Sequence, residues 1–167
     1  QTLITNMIHM GDAKEMIVVY PFIYSSKTKA QCTGFDVPED WDAYDNCVNE
    51  ITLDVMPWLK ENYSVLEGRE NTAVCGFSMG GREALSIGIA KPDLFGYIAA
   101  MAPAPGVIPN TMHPGQFKES ELVFAPEVTP KVLMICVGDV DGVVSFYPST
   151  YHAAFQKNGV EHFWWMV

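Results

Sequence analysis

A serine between glycines is the feature of this sequence that best suits covalent chemistry. The run Gly76-Phe-Ser-Met-Gly80 fits the pattern G-x-S-x-G, follows a short apolar run and opens a helical pattern. In a sharp strand-to-helix turn the serine hydroxyl stands exposed above the sheet, and the flanking glycines avoid collisions within the turn. We therefore predict that Ser78 is a nucleophile and that the Met79 N–H, at the positive end of the helix, is an oxyanion donor. The alternative is a serine that only caps the helix.

Two aspartates are candidates for the acid that such a nucleophile requires. In this arrangement the acid follows the nucleophile in the chain, on a loop after a later strand. Asp139 and Asp141 both follow the apolar run 131–137, at the carboxyl end of a predicted strand, where α/β sheets place their sites. Either aspartate could instead form a turn, since Asp-Gly is a strong turn dipeptide.

A serine of ordinary pKa also needs a base, so the four histidines have to be placed. His152 lies in a predicted helix, and His162 begins the last predicted strand, where six residues at ~3.3 Å put it some ~20 Å from the level of Ser78. His9 and His113 precede the acid. His113 could line the site from its loop, but as a base it would break the usual order of nucleophile, acid and histidine.

The elements that position these residues alternate between strands and helices, as in parallel βαβ units. In the predicted helix 39–63, apolar residues that include Trp41 and Trp58 form a buried stripe, and Pro57 predicts a kink. The long polar loop 22–38 is predicted to border the site. The predicted strands are 16–20, 72–75, 97–101, 131–137 and 162–167, and the predicted helices are the opening residues, 39–63, 80–90 and 146–158.

Length and charge limit the class of protein. The 167 residues suit one domain, and the formal net charge of −10 argues against nucleic acid or an anionic membrane as a partner. No apolar run approaches the ~20 residues that a membrane span needs, and no signal peptide is recognisable. Because the first residue is not Met, we expect residues 1–167 to be a processed or incomplete piece of a single domain.

The four cysteines fall into two groups. Cys75 and Cys136 lie inside predicted strands, where cysteine serves as a small apolar residue. Cys32 and Cys47 flank a polar loop and the start of a helix, where a disulfide is possible, and the sequence leaves that pairing open. No CxxC or Cys/His spacing indicates a metal, and we predict no cofactor.

Three segments resemble one known family. The runs Gly76-Phe-Ser-Met-Gly-Gly-Arg-Glu83, Lys91-Pro-Asp-Leu-Phe-Gly-Tyr97 and Ala102-Pro-Ala-Pro-Gly106 are similar to carbohydrate esterase family 1, which includes feruloyl and acetylxylan esterases. The resemblance implies an α/β-hydrolase fold with a mostly parallel sheet and helices on both faces. It also implies a secreted serine carboxylic-ester hydrolase whose partner is plant cell-wall polysaccharide or a small ester. Feruloyl esters on xylan are the first expectation, and acetylated xylan is the alternative.

The same resemblance assigns roles to individual residues. The family's acid lies three residues after the glycine that corresponds to Gly138, which is Asp141, with Val144 as the aliphatic anchor behind it. The family's histidine lies on a glycine-rich loop that would fall a few residues beyond Val167. Its first strands and the loop with the second oxyanion donor are likewise expected outside the given residues. Independently of the resemblance, the loop Ala102–Gly115 follows the carboxyl end of a predicted strand and is therefore predicted to shape the acyl pocket.

Other functions remain open at this point. A non-catalytic carbohydrate-binding relative would account for the lack of a suitable histidine, but it would gain nothing from Ser78 in a strained turn. An acyltransferase of the same fold would use a sugar hydroxyl in place of water, and a thioesterase would use the same catalytic residues. Arg82 and Glu83, one turn into the predicted helix, are expected to be structural rather than catalytic.

Overall fold

The computed structural model describes residues 2–29, 31–34 and 37–167, which form a single sheet with helices. The strands are β1 (Ala73–Phe77), β2 (Tyr97–Met101), β3 (Val132–Val137) and β4 (Phe163–Met166). The α-helices are α1 (Thr2–Met10), α2 (Pro38–Asp45), α3 (Cys47–Asn49), α4 (Met56–Asn62), α5 (Met79–Ala90) and α6 (Tyr147–Lys157). Short 3₁₀ turns cover Arg69–Asn71, Glu119–Glu121 and Pro126–Val128. Among these described ranges, no helix combines the length and apolar composition that crossing a bilayer requires.

The sheet is parallel throughout and its strands lie in chain order, β1-β2-β3-β4. The predicted bounds of β2 are those observed, and the bounds of β1, β3, β4, α5 and α6 agree with the prediction within two residues. The predicted α/β class with a parallel sheet is therefore confirmed. Because the strands are parallel, the segments after all four of them emerge at the same edge of the sheet.

One face of the sheet carries the main core. Side chains alternate along a strand, so Ile98 and Ala100 of β2 and Leu133 and Ile135 of β3 point to the same face. Both α5 and α6 pack on this face, whereas the opposite face carries more exposed side chains such as Phe77. The buried cluster comprises Leu85, Ile89, Ile98, Ala100, Val107, Ile108, Leu122, Leu133, Ile135, Tyr151, Ala154 and Phe155.

The predicted helix 39–63 is a helical segment in several pieces. A π-helical stretch, Glu50–Val55, lies directly before α4, which contains Pro57. The sequence predicted a kink near this proline, and the structure has a change from π-helix to α-helix directly before it. Trp41 is buried, but the prediction that Trp58 is buried is wrong, since it is 53% exposed and packs edge-on against Tyr63. The wider π turn rotates the apolar stripe, so that the regular spacing no longer holds in α4.

The predicted strand 16–20 is wrong. These residues form no strand with any described residue, and their side chains are exposed, from 42% at Val19 to 68% at Tyr20. An apolar run becomes a strand only where a neighbouring strand accepts its hydrogen bonds, and that partner is not encoded in the run itself.

All four cysteines are free thiols. Cys47 is buried against Ile87 and Phe95, whereas Cys32 packs in a different cluster, so the disulfide that the sequence left open is not formed. Cys75 lies in β1 as predicted, but its side chain is exposed, because it points to the face of the sheet opposite the main core.

Candidate active site

Ser78 occupies a strained turn between β1 and α5. Its backbone angles are φ 55° and ψ −118°, outside the regions that non-glycine residues normally adopt. Neighbouring backbone groups hold it there: the Ser78 N–H donates to the Met101 carbonyl at 3.0 Å, and its own carbonyl accepts from the N–H groups of Arg82 and Ala104, both at 3.0 Å. The predicted strained junction at the carboxyl end of a strand is confirmed.

Met79 begins the helix that follows this turn. Its N–H belongs to the first turn of α5, where N–H groups have no partner within the helix. The 12 residues of α5 also direct a partial positive charge toward this end. An oxygen that gains negative charge beside Ser78 would therefore meet a donor and a favourable field.

Two glycines make the close packing of the turn possible. A Cβ at Gly76 would overlap the Gly80 carbonyl, and a Cβ at Gly81 would lie 2.9 Å from the Met101 carbonyl oxygen. A Cβ at Gly80, the second glycine of the G-x-S-x-G pattern, would meet nothing within 4 Å. The expectation that both glycines of the pattern avoid collisions is therefore right for Gly76 and wrong for Gly80, and Gly81 has that role instead.

The loop after β3 fixes the orientation of one of the two candidate aspartates. Asp141 is half-buried, and its Oδ1 accepts hydrogen bonds from the N–H groups of Val143 at 2.8 Å and Val144 at 3.0 Å. The Val144 side chain is buried against Ala102, at the exit of β2 beside Ser78. Asp139 is exposed. Asp141 therefore forms the local turn, and these bonds leave its Oδ2 available for another partner.

Three of the histidines lie away from the serine. His152 Nδ1 and His162 Nε2 are 2.8 Å apart, and the His152 ring stacks on Trp164 with centroids 4.7 Å apart. Burial and the neighbouring imidazole lower the pKa of His152. This pair lies at the amino end of β4, opposite the edge at which Ser78 emerges, and His9 is exposed on α1. In the described part of the chain, no histidine hydrogen-bonds to the Ser78 hydroxyl.

Part of the loop predicted to shape an acyl pocket borders a cavity of about 240 Å³. The cavity lies between the segment after β2 and the first half of α6. It is smaller than the ~300–1,000 Å³ of typical ligand pockets, so it suits a single ring rather than a long ligand. Its lining includes Ile108, Pro109, Asn110, Thr111, Phe146 and Tyr147.

A buried ionic cluster lies next to the Ser78 turn, around Arg82 in the first turn of α5. The Arg82 guanidinium is wholly buried and donates to the carboxylates of Glu83 and Asp45. Asp45 also accepts from Gln116 Nε2 at 2.5 Å, and its Oδ2 lies 3.4 Å from His113 Nε2. The cluster therefore ties α2, the first turn of α5 and the loop after β2 together, which agrees with the expected structural role of Arg82 and Glu83. His113, which could have lined the site, is buried in this cluster.

Asp45 and Glu83 both bind the Arg82 guanidinium, but the pKa of Asp45 is lowered and the pKa of Glu83 is raised. Burial alone would raise the pKa of Asp45, but hydrogen bonds from His113, Arg82 and Gln116 and the charge of Arg82 lower it to about 2. Burial raises the pKa of Glu83 to about 7, and Arg82 offsets only part of that effect. Sequence reasoning missed Asp45, because its partners lie 37 and 71 residues along the chain.

Comparison with known proteins gives this arrangement a family context. The chain matches a family model described as "Putative esterase" over residues 3–165. Two similar structures are of a CE1 ferulic acid esterase from the anaerobic fungus Anaeromyces mucronatus. The structure without substrate has a TM-score of 0.90 and 44% identity over 99% of this chain and 61% of that one. The complex with ferulic acid has a TM-score of 0.90 and 42% identity over 99% of this chain and 62% of that one.

More distant structures share the fold alone. One ferulic acid esterase matches 99% of this chain and 67% of its own length, with a TM-score of 0.69 and 20% identity. The chain spans only about three fifths of the length of the Anaeromyces mucronatus structures, at 61% and 62%.

Proposed function

Because the chain belongs to the esterase family, we propose that the full-length protein is a serine carboxylic-ester hydrolase with Ser78 as its nucleophile. The observation that carries this proposal is the strained backbone of Ser78, with φ 55°, between a parallel strand and a helix. Strain of this kind persists only where the surrounding structure maintains it, and it is concentrated at functional sites. The 44% identity to a CE1 ferulic acid esterase favours feruloyl esters as substrates.

The proposed reaction has two steps. Ser78 Oγ attacks the ester carbonyl carbon while its proton passes to a histidine, and the alcohol leaves with that proton. Water then attacks the acyl-serine, releases the carboxylic acid and restores the serine. The Met79 N–H stabilises the oxyanion in both steps, and Asp141 Oδ2 orients the histidine. We propose that this histidine follows Val167 in the full-length protein.

We assign the feruloyl ring to the cavity between the loop after β2 and the start of α6. Ile108 and Pro109 supply apolar contacts, and Phe146 and Tyr147 supply aromatic faces, with ring centroids 4.6 Å apart. The Asn110 side chain bonds to the backbone of Ile108, Met112 and His113, which leaves one amide N–H for a phenolic substituent of the ring. An apolar lining with a few polar groups is typical of sites that bind small aromatic ligands.

The natural substrate that we propose is a feruloyl ester on xylan of plant cell walls. An enzyme acting on this polymer has to be secreted, since the polymer is too large to enter a cell. The formal net charge of −10 is compatible with a neutral polysaccharide and disfavours polyanionic partners.

Steady-state hydrolysis by the full-length protein tests the proposal. We expect turnover of methyl ferulate with a higher kcat/KM than that of acetylated xylan. Ser78→Ala should lower kcat by roughly 10⁶-fold, as loss of the nucleophile does in other serine hydrolases. The matched control is Ser64→Ala, at an exposed serine outside the turn, and it should keep the wild-type rate.

Each other outcome separates the alternatives. A strong preference for acetylated xylan would refute the feruloyl assignment and keep the esterase. Full activity in Ser78→Ala would mean that the nucleophile lies elsewhere. No hydrolysis of either ester would leave a carbohydrate-binding relative or a different ester as the function.

A further inference from the structure

Asp40 is a buried carboxylate that the proposed reaction does not use. It is 1% exposed, and its donors among the described residues come from the long loop that precedes α2. The Tyr24 hydroxyl donates to Oδ1. Oδ2 accepts from the Thr33 N–H at 2.9 Å, the Thr33 hydroxyl at 2.8 Å and the Gly34 N–H at 3.0 Å. The Lys29 ammonium lies 3.6 Å from Oδ1.

These bonds fix a segment whose described residues form neither helix nor strand. A buried charge is tolerated only when hydrogen bonds and opposite charges satisfy it, so residues 24 and 33–34 are held at the start of α2. The Tyr24 hydrogen bond, with those of Thr33 and Gly34, holds the pKa of Asp40 well below its usual range. The same bond raises the pKa of Tyr24 to about 12. At neutral pH, Asp40 is therefore ionised and Tyr24 is protonated.

The segment that Asp40 holds lies against the nucleophile turn. The rings of Tyr24 and Tyr44 are buried together, with centroids 5.3 Å apart. Ile23, Cys32 and Met79 pack against this pair. Met79 directly follows Ser78 and supplies the proposed oxyanion donor. Met79, the first residue of α5, thus packs against a cluster that Tyr24 of the loop forms with Ala43 and Tyr44 of α2.

We propose that Asp40 is a positioning residue for the oxyanion site. By holding Tyr24 and the Thr33–Gly34 backbone, it keeps the loop packed on the Met79 side chain and so keeps the Met79 N–H directed at the developing oxyanion. This inference rests on the proposed esterase function. It assigns a catalytic consequence to the long loop, which the sequence only predicted to border the site.

The tests use the full-length protein with three variants. Asp40→Asn keeps the shape of the side chain but replaces one accepting oxygen with an NH₂ group, which cannot accept the surrounding hydrogen bonds. Tyr24→Phe removes the hydroxyl that donates to Asp40. Asp42→Asn is the matched control, because Asp42 is an exposed aspartate two residues further along α2. For each variant, kcat and KM are measured on methyl ferulate and 4-nitrophenyl acetate, together with the melting temperature.

Asp40→Asn should lower kcat about tenfold on both esters and leave KM within about twofold. Removing an oxyanion donor altogether costs roughly 10²–10³-fold in kcat, and a displaced donor should cost less. Tyr24→Phe should lower kcat about threefold, and the Asp42→Asn control should match the wild type.

Inhibitor binding separates positioning of the oxyanion donor from a general structural role. Phenylboronic acid forms a tetrahedral, negatively charged adduct with a catalytic serine, so it probes the oxyanion site, whereas ferulate probes ground-state binding. We expect the inhibition constant of phenylboronic acid to rise about tenfold in Asp40→Asn while the Kd of ferulate is unchanged.

Three results would overturn the inference: equal losses of phenylboronic acid and ferulate affinity, a change confined to KM for methyl ferulate, or a kcat equal to that of the control. Failure of the proposed function is distinct, since it appears as wild-type protein that hydrolyses neither ester. If the wild type cleaves only 4-nitrophenyl acetate, that ester and phenylboronic acid still test Asp40.

Discussion

Alanine at Gly81 and, separately, at Gly80 tests whether the packing of the turn between β1 and α5 sets the geometry of Ser78. A Cβ at Gly81 would lie 2.9 Å from the Met101 carbonyl oxygen and 3.1 Å from the Gly76 carbonyl oxygen. Both are backbone atoms, which cannot rotate away. A Cβ at Gly80 would meet no atom within 4 Å. The two glycines are neighbours in the same helical turn, so each variant is the other's control.

The expected magnitudes follow from these contacts. Overpacking of this kind costs ~1–3 kcal/mol, and a Gly-to-Ala exchange in a helix returns ~1 kcal/mol. Gly81→Ala should therefore lower the free energy of unfolding by up to ~2 kcal/mol, and Gly80→Ala should leave it unchanged or raise it by up to ~1 kcal/mol. The strain also reaches Ser78, because its N–H donates to the same Met101 carbonyl. A displacement of ~1 Å can cost ~10²-fold in rate, so a shift of a few tenths of an ångström should cost Gly81→Ala about tenfold in kcat.

Urea unfolding of both variants, with kcat on methyl ferulate, checks this prediction. Gly81→Ala should have a lower urea midpoint than Gly80→Ala and a lower kcat. A Gly81→Ala protein with wild-type stability and wild-type kcat would show that close packing does not hold the turn. Greater damage from Gly80→Ala would refute the assignment of the tight approach to Gly81.

Two further predictions concern carboxylates. Asp141→Asn should lower kcat by up to roughly 10⁴-fold, as loss of a triad aspartate does, whereas Asp139→Asn, at an exposed position, should change it little; equal effects would refute the choice of Asp141. Glu83 has a folded-state pKa of about 7 against an ordinary value of 4.5, so its contribution to stability is present below pH 4.5 and is lost as the pH rises to about 7. Urea midpoints between pH 4.5 and 8 should therefore fall less steeply for Glu83→Gln than for the wild type, and identical slopes would contradict the shift.

The features that sequence predicted correctly are local. The strand before Ser78 and the helix after it follow from apolar runs, spacing and adjacent glycines, all within about twenty residues. The bounds of β2 are given by a compact apolar run between Gly96 and the Pro-rich segment after Met101. The Ser78 turn was predictable for the same reason, since strand, glycines and helix are contiguous.

The features that sequence missed depend on distant partners. Residues 16–20 have the composition of a strand, but only a neighbouring strand could make them one. Trp58 is exposed although its spacing predicted a buried position, because a π-helical stretch precedes it. Spacing alone does not reveal that stretch. Asp40 reads as an acidic residue in the first turn of a helix, a common surface position. Its burial arises only from donors on a loop whose path the sequence does not specify.

The role of Ser78 as the nucleophile can be tested most directly by trapping the acyl-enzyme. Full-length protein is mixed with methyl ferulate, quenched in acid during turnover, digested and analysed by mass spectrometry. We predict a mass increase of one feruloyl group on the peptide that contains Ser78, and none on that peptide from Ser78→Ala. Two results would contradict Ser78 as the nucleophile. One is turnover with the feruloyl group on another residue. The other is a pre-steady-state burst of turnover with no acylated peptide in a sample quenched during that burst.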